Sequence, residues 1–321
     1  MAKFTHSVLA QDESLAANTT VTWNLGVSAL SHILLTLRFL NSTATTKATL
    51  ANILAMISKL EVLFRGQSIL SLNGADLFAY QSLVQAMPLN QENVVDTINA
   101  ARFATFIIPF GRRLFDPAEC FPKVLKGELQ LQLTSPATYT NIVTVTTQVE
   151  TVELLDASPK QYLKATTLSK TPSATGEHDV DLPIGNTLLG CLLFSTTVPT
   201  GTAFTTSIDW LKLLVDNVES HYSRTNWESL HNQLMALPSP LNAWAEKIHR
   251  ENLAAAYTQN ADSLPEEQVD SDIYRHSLLD LDPTRDGLYA LDTKGKSRVH
   301  LRINAGDTAL IRVVPVELVR V

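Results

Sequence analysis

The chain has 321 residues, 45% of them hydrophobic and 18% charged, with 32 acidic against 25 basic side chains and a formal charge of −7. That length exceeds most single cores and suits two domains of about 150–160 residues, while an acidic balance with no basic cluster excludes gripping nucleic acid as the main surface task. The charged fraction lies below the roughly 25% of an ordinary soluble domain; extensive subunit contacts would leave that signature, and so would compositional scatter.

The opening residues, MAKFTHSVLAQDES, have no apolar core of signal-peptide length. No apolar run approaches the roughly 18 residues needed to cross a bilayer. A soluble subunit made in the cytoplasm is expected. Val21–Gly26 (VTWNLG) then leads into the apolar run Ile33–Phe39. From Leu60 to Pro88 an apolar stretch meets a polar break and then an amphipathic helix, with Asn73 as its N-cap and Leu77, Tyr80, Val84 and Met87 on one face. Leu60–Gly66 looks like a viral protease recognition stretch, but Arg65 stands where such proteases demand glutamine, so the match is coincidence. Strict alternation at Leu129, Leu131 and Leu133 marks a half-buried strand. A β-branched strand after it ends in Val152-Glu-Leu, and a turn-forming junction follows at Asp156–Pro159. Domains are therefore expected at 1–157 and 158–321.

The second half repeats this grammar. Val180–Gly185 (VDLPIG) precedes Leu188–Phe194, and Trp210–Pro238 superposes without a gap on Leu60–Pro88 at an offset of 150. Ser223 takes the slot of Asn73, with Thr225 and Glu228 as an alternative capping box; Trp227, Leu230, Leu234 and Leu237 form the helix face. An extra helix is expected from Ser239, with Leu241, Trp244, Ile248 and Ala255 on one face, and a solvated acidic loop over Asp262–Asp272. Val299, Leu301 and Ile303 alternate as Leu129–Leu133 do, before a β-branched strand ending in Val316-Glu-Leu. Three blocks in one order, at offsets of 159, 150 and 164, argue for duplication more strongly than for the grammar any two β-rich domains share. Short strands, turns and one or two helices per half indicate an all-β fold with inserted helices, built from sandwiches with Greek-key connections.

Each chemical pattern fails on its own terms. Glu246-Lys-Ile-His249 has the spacing of a di-iron helix but lacks a second copy. His221 and His231 have no H-E-x-x-H or cysteine partner. Asp280/Asp282 and Glu266/Glu267 lack a second carboxylate set and read as loop solvation. No nucleophile elbow, P-loop or dinucleotide fingerprint occurs. Cys120 and Cys191, beside apolar residues, read as buried free thiols. From Arg285 to Val321 seven basic residues face four acidic ones, too slight an excess for a nucleic-acid surface. No catalytic, cofactor-binding or metal-binding residue is assigned, and no enzyme is expected. A metal-dependent double-barrel enzyme would need an H-x-H, which is absent. A spike or carbohydrate-binding sandwich is the alternative; it needs exposed aromatic residues, and of Trp23, Trp210, Trp227 and Trp244 three fall on strand or helix faces.

Phe103–Leu133, FATFIIPFGRRLFDPAECFPKVLKGELQLQL, runs from an apolar strand ending at Pro109-Phe110, through a loop, past a second corner at Phe121-Pro122, into an alternating strand. This stretch and the tandem repeat resemble the double jelly-roll major capsid proteins of the lineage that includes tailless lipid-containing bacteriophages, adenoviruses and large DNA viruses. The second half departs from the pattern, with LLDLDP (Leu278–Pro283) in place of the Pro-Phe strand. The resemblance implies two tandem eight-stranded antiparallel jelly rolls. It also implies homotrimers that act as pseudo-hexamers and tile an icosahedral shell, with neighbouring capsomers as partners. Minor capsid or penton proteins, an internal membrane and a place in the virion belong to the same implication.

Overall fold

The computed structural model describes residues 3–42, 48–85, 87, 90–92, 98–198, 204–236 and 275–321. The chain forms two compact units, one of residues 1–166 with 319–321, the other of residues 167–318.

The first unit is two sheets. One holds β1 (Phe4–Ser14), β9 (Ile142–Leu154), β3 (Ala29–Asn41), β7 (Ala101–Pro109) and β6 (Asn90–Glu92), in that order across the sheet. The other runs β10 (Gln161–Thr166), β5 (Gln67–Leu72), β4 (Lys59–Phe64), β8 (Leu129–Thr134), β2 (Thr20–Asn24). Neighbours are antiparallel except β10 and β5, which are parallel. Period-two burial sets the core: Ile33, Leu35 and Leu37 of β3, Phe106 and Ile108 of β7, and Leu129, Leu131 and Leu133 of β8 are all within 1% of complete burial.

In the second unit one sheet runs β17 (His276–Asp280), β13 (Thr187–Ser195), β20 (Ile311–Arg320), with β11 (Leu168–Lys170) on β20 and β18 (Leu291–Asp292) on β13. The other runs β12 (Gly176–Asp181), β19 (Val299–Ala305), β14 (Trp210–Val215), β15 (Val218–Glu219), with β16 (Thr225–Asn226) also on β14. Both sheets feed one core, in which Leu188, Leu193, Leu279 and Val313 meet Leu211, Leu213, Val299 and Leu301.

Eight strands of one unit match eight of the other in order. The order β1-β9-β3-β7 corresponds to β11-β20-β13-β17, and β2-β8-β4-β5 to β12-β19-β14-β15. The same two-layer Greek-key path is therefore traced twice. Even a turn recurs: Arg65 and Gly66 join β4 to β5 with φ of 50° and 78°, and Asp216 and Asn217 join β14 to β15 with φ of 50° and 66°. Paired left-handed residues give the tight hairpin whose twist suits the flanking strands.

The helices differ from the sequence expectation. α1 (Leu50–Ala55) is capped reciprocally by Thr49 and Asn52. α2 (Gly74–Ala79) is capped by Asn73, whose Oδ1 accepts the Asp76 N–H at 2.8 Å, and it continues as a π-helical turn, Tyr80–Val84. Leu77, Tyr80 and Val84 are buried as expected, but so are Asp76, Phe78, Gln81, Ser82 and Leu83. This segment is packed on all sides instead of floating an amphipathic face. Gln81 Oε1 accepts the Ile107 N–H of β7 at 2.9 Å, a position a solvent-facing glutamine could not hold. Gly74 permits the close fit, since a Cβ there would lie 2.0 Å from the Leu54 carbonyl oxygen. In the second unit α3 begins at Trp227, not after Ser223 or Thr225, because Thr225 and Asn226 are drawn into pairing with β14. Leu237, the helix expected from Ser239, Trp244, the Glu246–His249 pattern and the acidic stretch at 262–272 lie outside the described residues.

Candidate assembly surfaces

The inward faces of the sheets make the cores, so chemistry available to a partner lies on the outward faces, the sheet edges and the loop tips. In the first unit the outward face of β9, β3 and β7 carries a group of threonines. Thr36, Thr105, Thr144, Thr146 and Gln148 line an open cleft of about 790 Å³, with Phe103 as its aromatic wall. Thr36 and Thr105 share a hydrogen bond of 2.9 Å, and Arg38 pairs with Asp12 across the mouth. Such a face offers hydrogen bonds and little net charge.

Further along that sheet the loop after β7 folds back. Phe115 of this loop lies edge-on to Phe4 (5.3 Å) and to His32 (5.2 Å). His32 is buried, and burial together with the nearby His6 lowers its pKa to about 4, so it stays neutral at ordinary pH. His6 itself pairs with Glu150 on β9. The loop is anchored by Arg112, whose Nε donates to Glu119 Oε1 and Oε2 at 3.1 and 3.0 Å; Gln161 adds a bond at 2.7 Å. Burial alone would raise the Glu119 pKa, but the hydrogen bonds from Arg112 and Gln161 outweigh it and hold it below the usual range.

The outward face of the second unit is built from charge. Glu177, Asp179 and Asp181 alternate along β12, opposite Arg302 and, beyond His300, Arg298. Arg302 Nε donates to Asp179 at 2.8 Å and Arg298 Nε to Asp181 at 2.6 Å, while Lys212 of β14 reaches Glu219 at 3.0 Å. Hydrogen bonding from Arg302 keeps Asp179 below the carboxylate range, and both arginines are raised in return. His300, fully buried between them, lies 3.6 Å from Asp179; desolvation lowers its pKa. Trp210 sits under Arg224 at 4.9 Å. The basic excess of Arg285–Val321 is thus largely spoken for by acids about 120 positions upstream.

Several loops carry exposed apolar groups: Val27 and Leu125 in the first unit, and Ile184, Phe204, Leu288 and Tyr289 in the second.

The residues weighed from sequence are dispersed. Cys120 and Cys191 are free and buried, each within its own unit; burial pushes the Cys120 thiol to about 11 and raises Cys191 as well. His221 is exposed, with Nε2 near the Tyr289 carbonyl, whereas His231 is buried against the His276 carbonyl. Asp280 and Asp282 are not loop solvation. Asp282 is fully buried and accepts the Gly287 N–H at 2.7 Å, and Asp280 accepts the Asp282 N–H and pairs with Arg285. They shape a turn. Trp23 and Trp227 are buried, and Trp23 Nε1 donates to Glu13. Among the described residues no group of three His, Cys, Asp or Glu is placed to hold a metal, and no helix is long and apolar enough to cross a membrane.

No sequence family and no curated protein matches the chain. Solved structures do. The major capsid protein of bacteriophage PM2 aligns over 99% of this chain and 98% of its own, at a TM-score of 0.62 and 9% identity. That of STIV, Sulfolobus Turreted Icosahedral Virus, aligns over 99% and 97%, at a TM-score of 0.68 and 10% identity. The chain has the double jelly-roll fold of viral major capsid proteins. The PBCV-1 virus capsid protein shares it over 99% of this chain and 94% of its own, at a TM-score of 0.59. At such identities the likeness is one of fold, carried by the strand order and not by retained residues. It covers both units of the chain.

Proposed function

We propose that this chain is a viral major capsid protein whose trimers, each presenting six jelly rolls, act as pseudo-hexamers tiling an icosahedral shell. The observation that carries the reading is end-to-end correspondence: a duplicated jelly roll aligning over 99% of its length with the PM2 and STIV capsid proteins and over nearly all of theirs. Duplication has a physical use in a shell. One chain presents two similar but distinguishable sets of faces, here a threonine-lined face and a charged one, so three chains can fill a six-sided position. Closed contacts make the capsomer and weaker ones extend it. On this reading the role is structural, not enzymatic, and the site of action is the virion, with the chain synthesised in the host cytoplasm. Each compact unit serves as one jelly-roll module, and copies of the same chain are the principal partners. Minor capsid or penton proteins and an internal membrane complete the reading. A carbohydrate-binding sandwich is less well supported, because two of the tryptophans it would display, Trp23 and Trp227, are in the cores. Electron microscopy of the purified protein, concentrated under assembly-promoting salt and polymer conditions, tests the proposal. Three-lobed capsomers with a pseudo-hexagonal outline, and sheets or closed particles made from them, are expected. A field of single particles of monomer size would overturn it.

A further inference from the structure

β1 is an edge strand with a long open side. Its partner β9 occupies one edge, and no other described strand pairs with it. Nearly every residue is exposed, including Phe4 at 59% and Val8 at 56%. The Lys3 carbonyl accepts the Leu155 N–H at 2.9 Å, and Phe4↔Leu154 through Val8↔Glu150 continue in the same register. Hydrogen bonding alternates along an antiparallel pair, so Thr5 and Ser7 bond β9. The N–H and C=O groups of Phe4, His6 and Val8 point to the open edge. After Val8 the register shifts twice, before Ala10 and again before Glu13, and Asp12 takes a φ of 53°. Bulges and charge blunt the second half of the strand in the way that natural edges are protected. The first half has no such protection.

We infer that Phe4–Val8 is a two-fold contact surface, on which β1 of a second copy of this chain adds as an antiparallel strand centred on His6. The segment is complementary to itself. His6 would face its own counterpart, and Phe4 of each copy would face Val8 of the other, an aromatic and β-branched cross-strand pair on one side of the sheet. Thr5 and Ser7 would pair on the opposite side. The outward backbone groups of all three residues would then be satisfied. The bulge after Val8 limits the pairing to this stretch and fixes its register. A two-fold contact cannot occur within a three-fold ring, so in a shell it joins one capsomer to the next. That placement rests on the coat-protein reading; the contact itself does not.

Two variants of the full chain test it. In Val8→Pro the outward N–H is lost, at an edge position where proline is tolerated, while the bonds to β9 remain. His6→Cys puts two thiols on the two-fold axis, with opposed Cα atoms about 5.5 Å apart, within disulfide reach; the native Cys120 and Cys191 are buried and give little background. Mild oxidation of His6→Cys should yield a covalent dimer on non-reducing gels. Val8→Pro should lose the species larger than the capsomer while the capsomer persists. Assembly of Val8→Pro equal to that of the parent would overturn the inference. So would blocked assembly of Val8→Pro without any cross-linking of His6→Cys, which would mean that a different strand uses the edge. If the parent chain forms no trimer, the coat-protein reading fails, yet cross-linking of His6→Cys still reports the contact by itself.

Discussion

Phe121 contributes more to the first unit than its place between strands suggests. Its N–H and C=O both bond Leu30 at 2.9 Å, and its ring meets Tyr162 (4.8 Å), Phe64 (5.4 Å) and Phe110 (5.6 Å). The corner that sequence reading marked at Phe121-Pro122 is therefore an aromatic hub, and Phe121→Ala should cost about 3–5 kcal/mol in urea unfolding. Arg112 and Glu119 are likewise a mostly buried pair, with side chains 17% and 8% exposed. Arg112→Ala leaves the carboxylate buried without its partner, and a loss of about 3–5 kcal/mol is expected. His32 makes stability depend on pH. The folded protein holds it neutral down to about 4, whereas the unfolded chain takes up a proton below about 6.5. Stability should therefore fall as pH drops from 6.5 to 4 and lose nothing further from this group below that. The full shift corresponds to about 3 kcal/mol. His32→Gln should flatten this slope in urea titrations at pH 7 and pH 4.5; an unchanged slope would assign it to other groups.

At the scale of elements, legibility followed burial. β8 and β19 were visible because the apolar residues of each fall on one face, leaving Leu129–Leu133 and Val299–Ile303 in strict alternation. The run Leu188–Phe194 was visible because β13 is buried throughout. Asn73 was found from its chemistry, and it caps α2; Asn73→Ala should cost about 1 kcal/mol, read from thermal or urea melts. What came next was not legible. Tyr80–Val84 takes a π-helical turn inside a fully packed segment, and no local pattern marks where a helix widens. α3 started late because β-pairing of Thr225 and Asn226 overrides their capping preference, a tertiary effect. β1 escaped notice for the reason that makes it interesting: with both faces exposed, Phe4–Ser14 has no alternation to read. The charged face of the second unit was hidden in another way. Glu177, Asp179 and Asp181 meet Arg298 and Arg302 only through the β12–β19 pairing, so counting charge along the chain gave an excess that the fold largely cancels.

The whole molecule is a duplication written in topology. Three blocks at nearly constant offset announced it, and the shared order of eight strands in each unit gives it physical content. Sequence carries that message faintly because a jelly roll constrains which positions are apolar much more tightly than which residues fill them, as the 9–10% identity with the PM2 and STIV proteins illustrates. The surfaces are freer still, so neither the threonine-lined cleft nor the open edge of β1 had a signature along the chain. Whether the chain is a coat subunit that works as a trimer of double modules is decided by multi-angle light scattering on the purified protein at several concentrations. A trimer gives a molar mass three times the 35.3 kDa of one chain, stable on dilution. A mass of 35.3 kDa that persists at the highest concentration would contradict it.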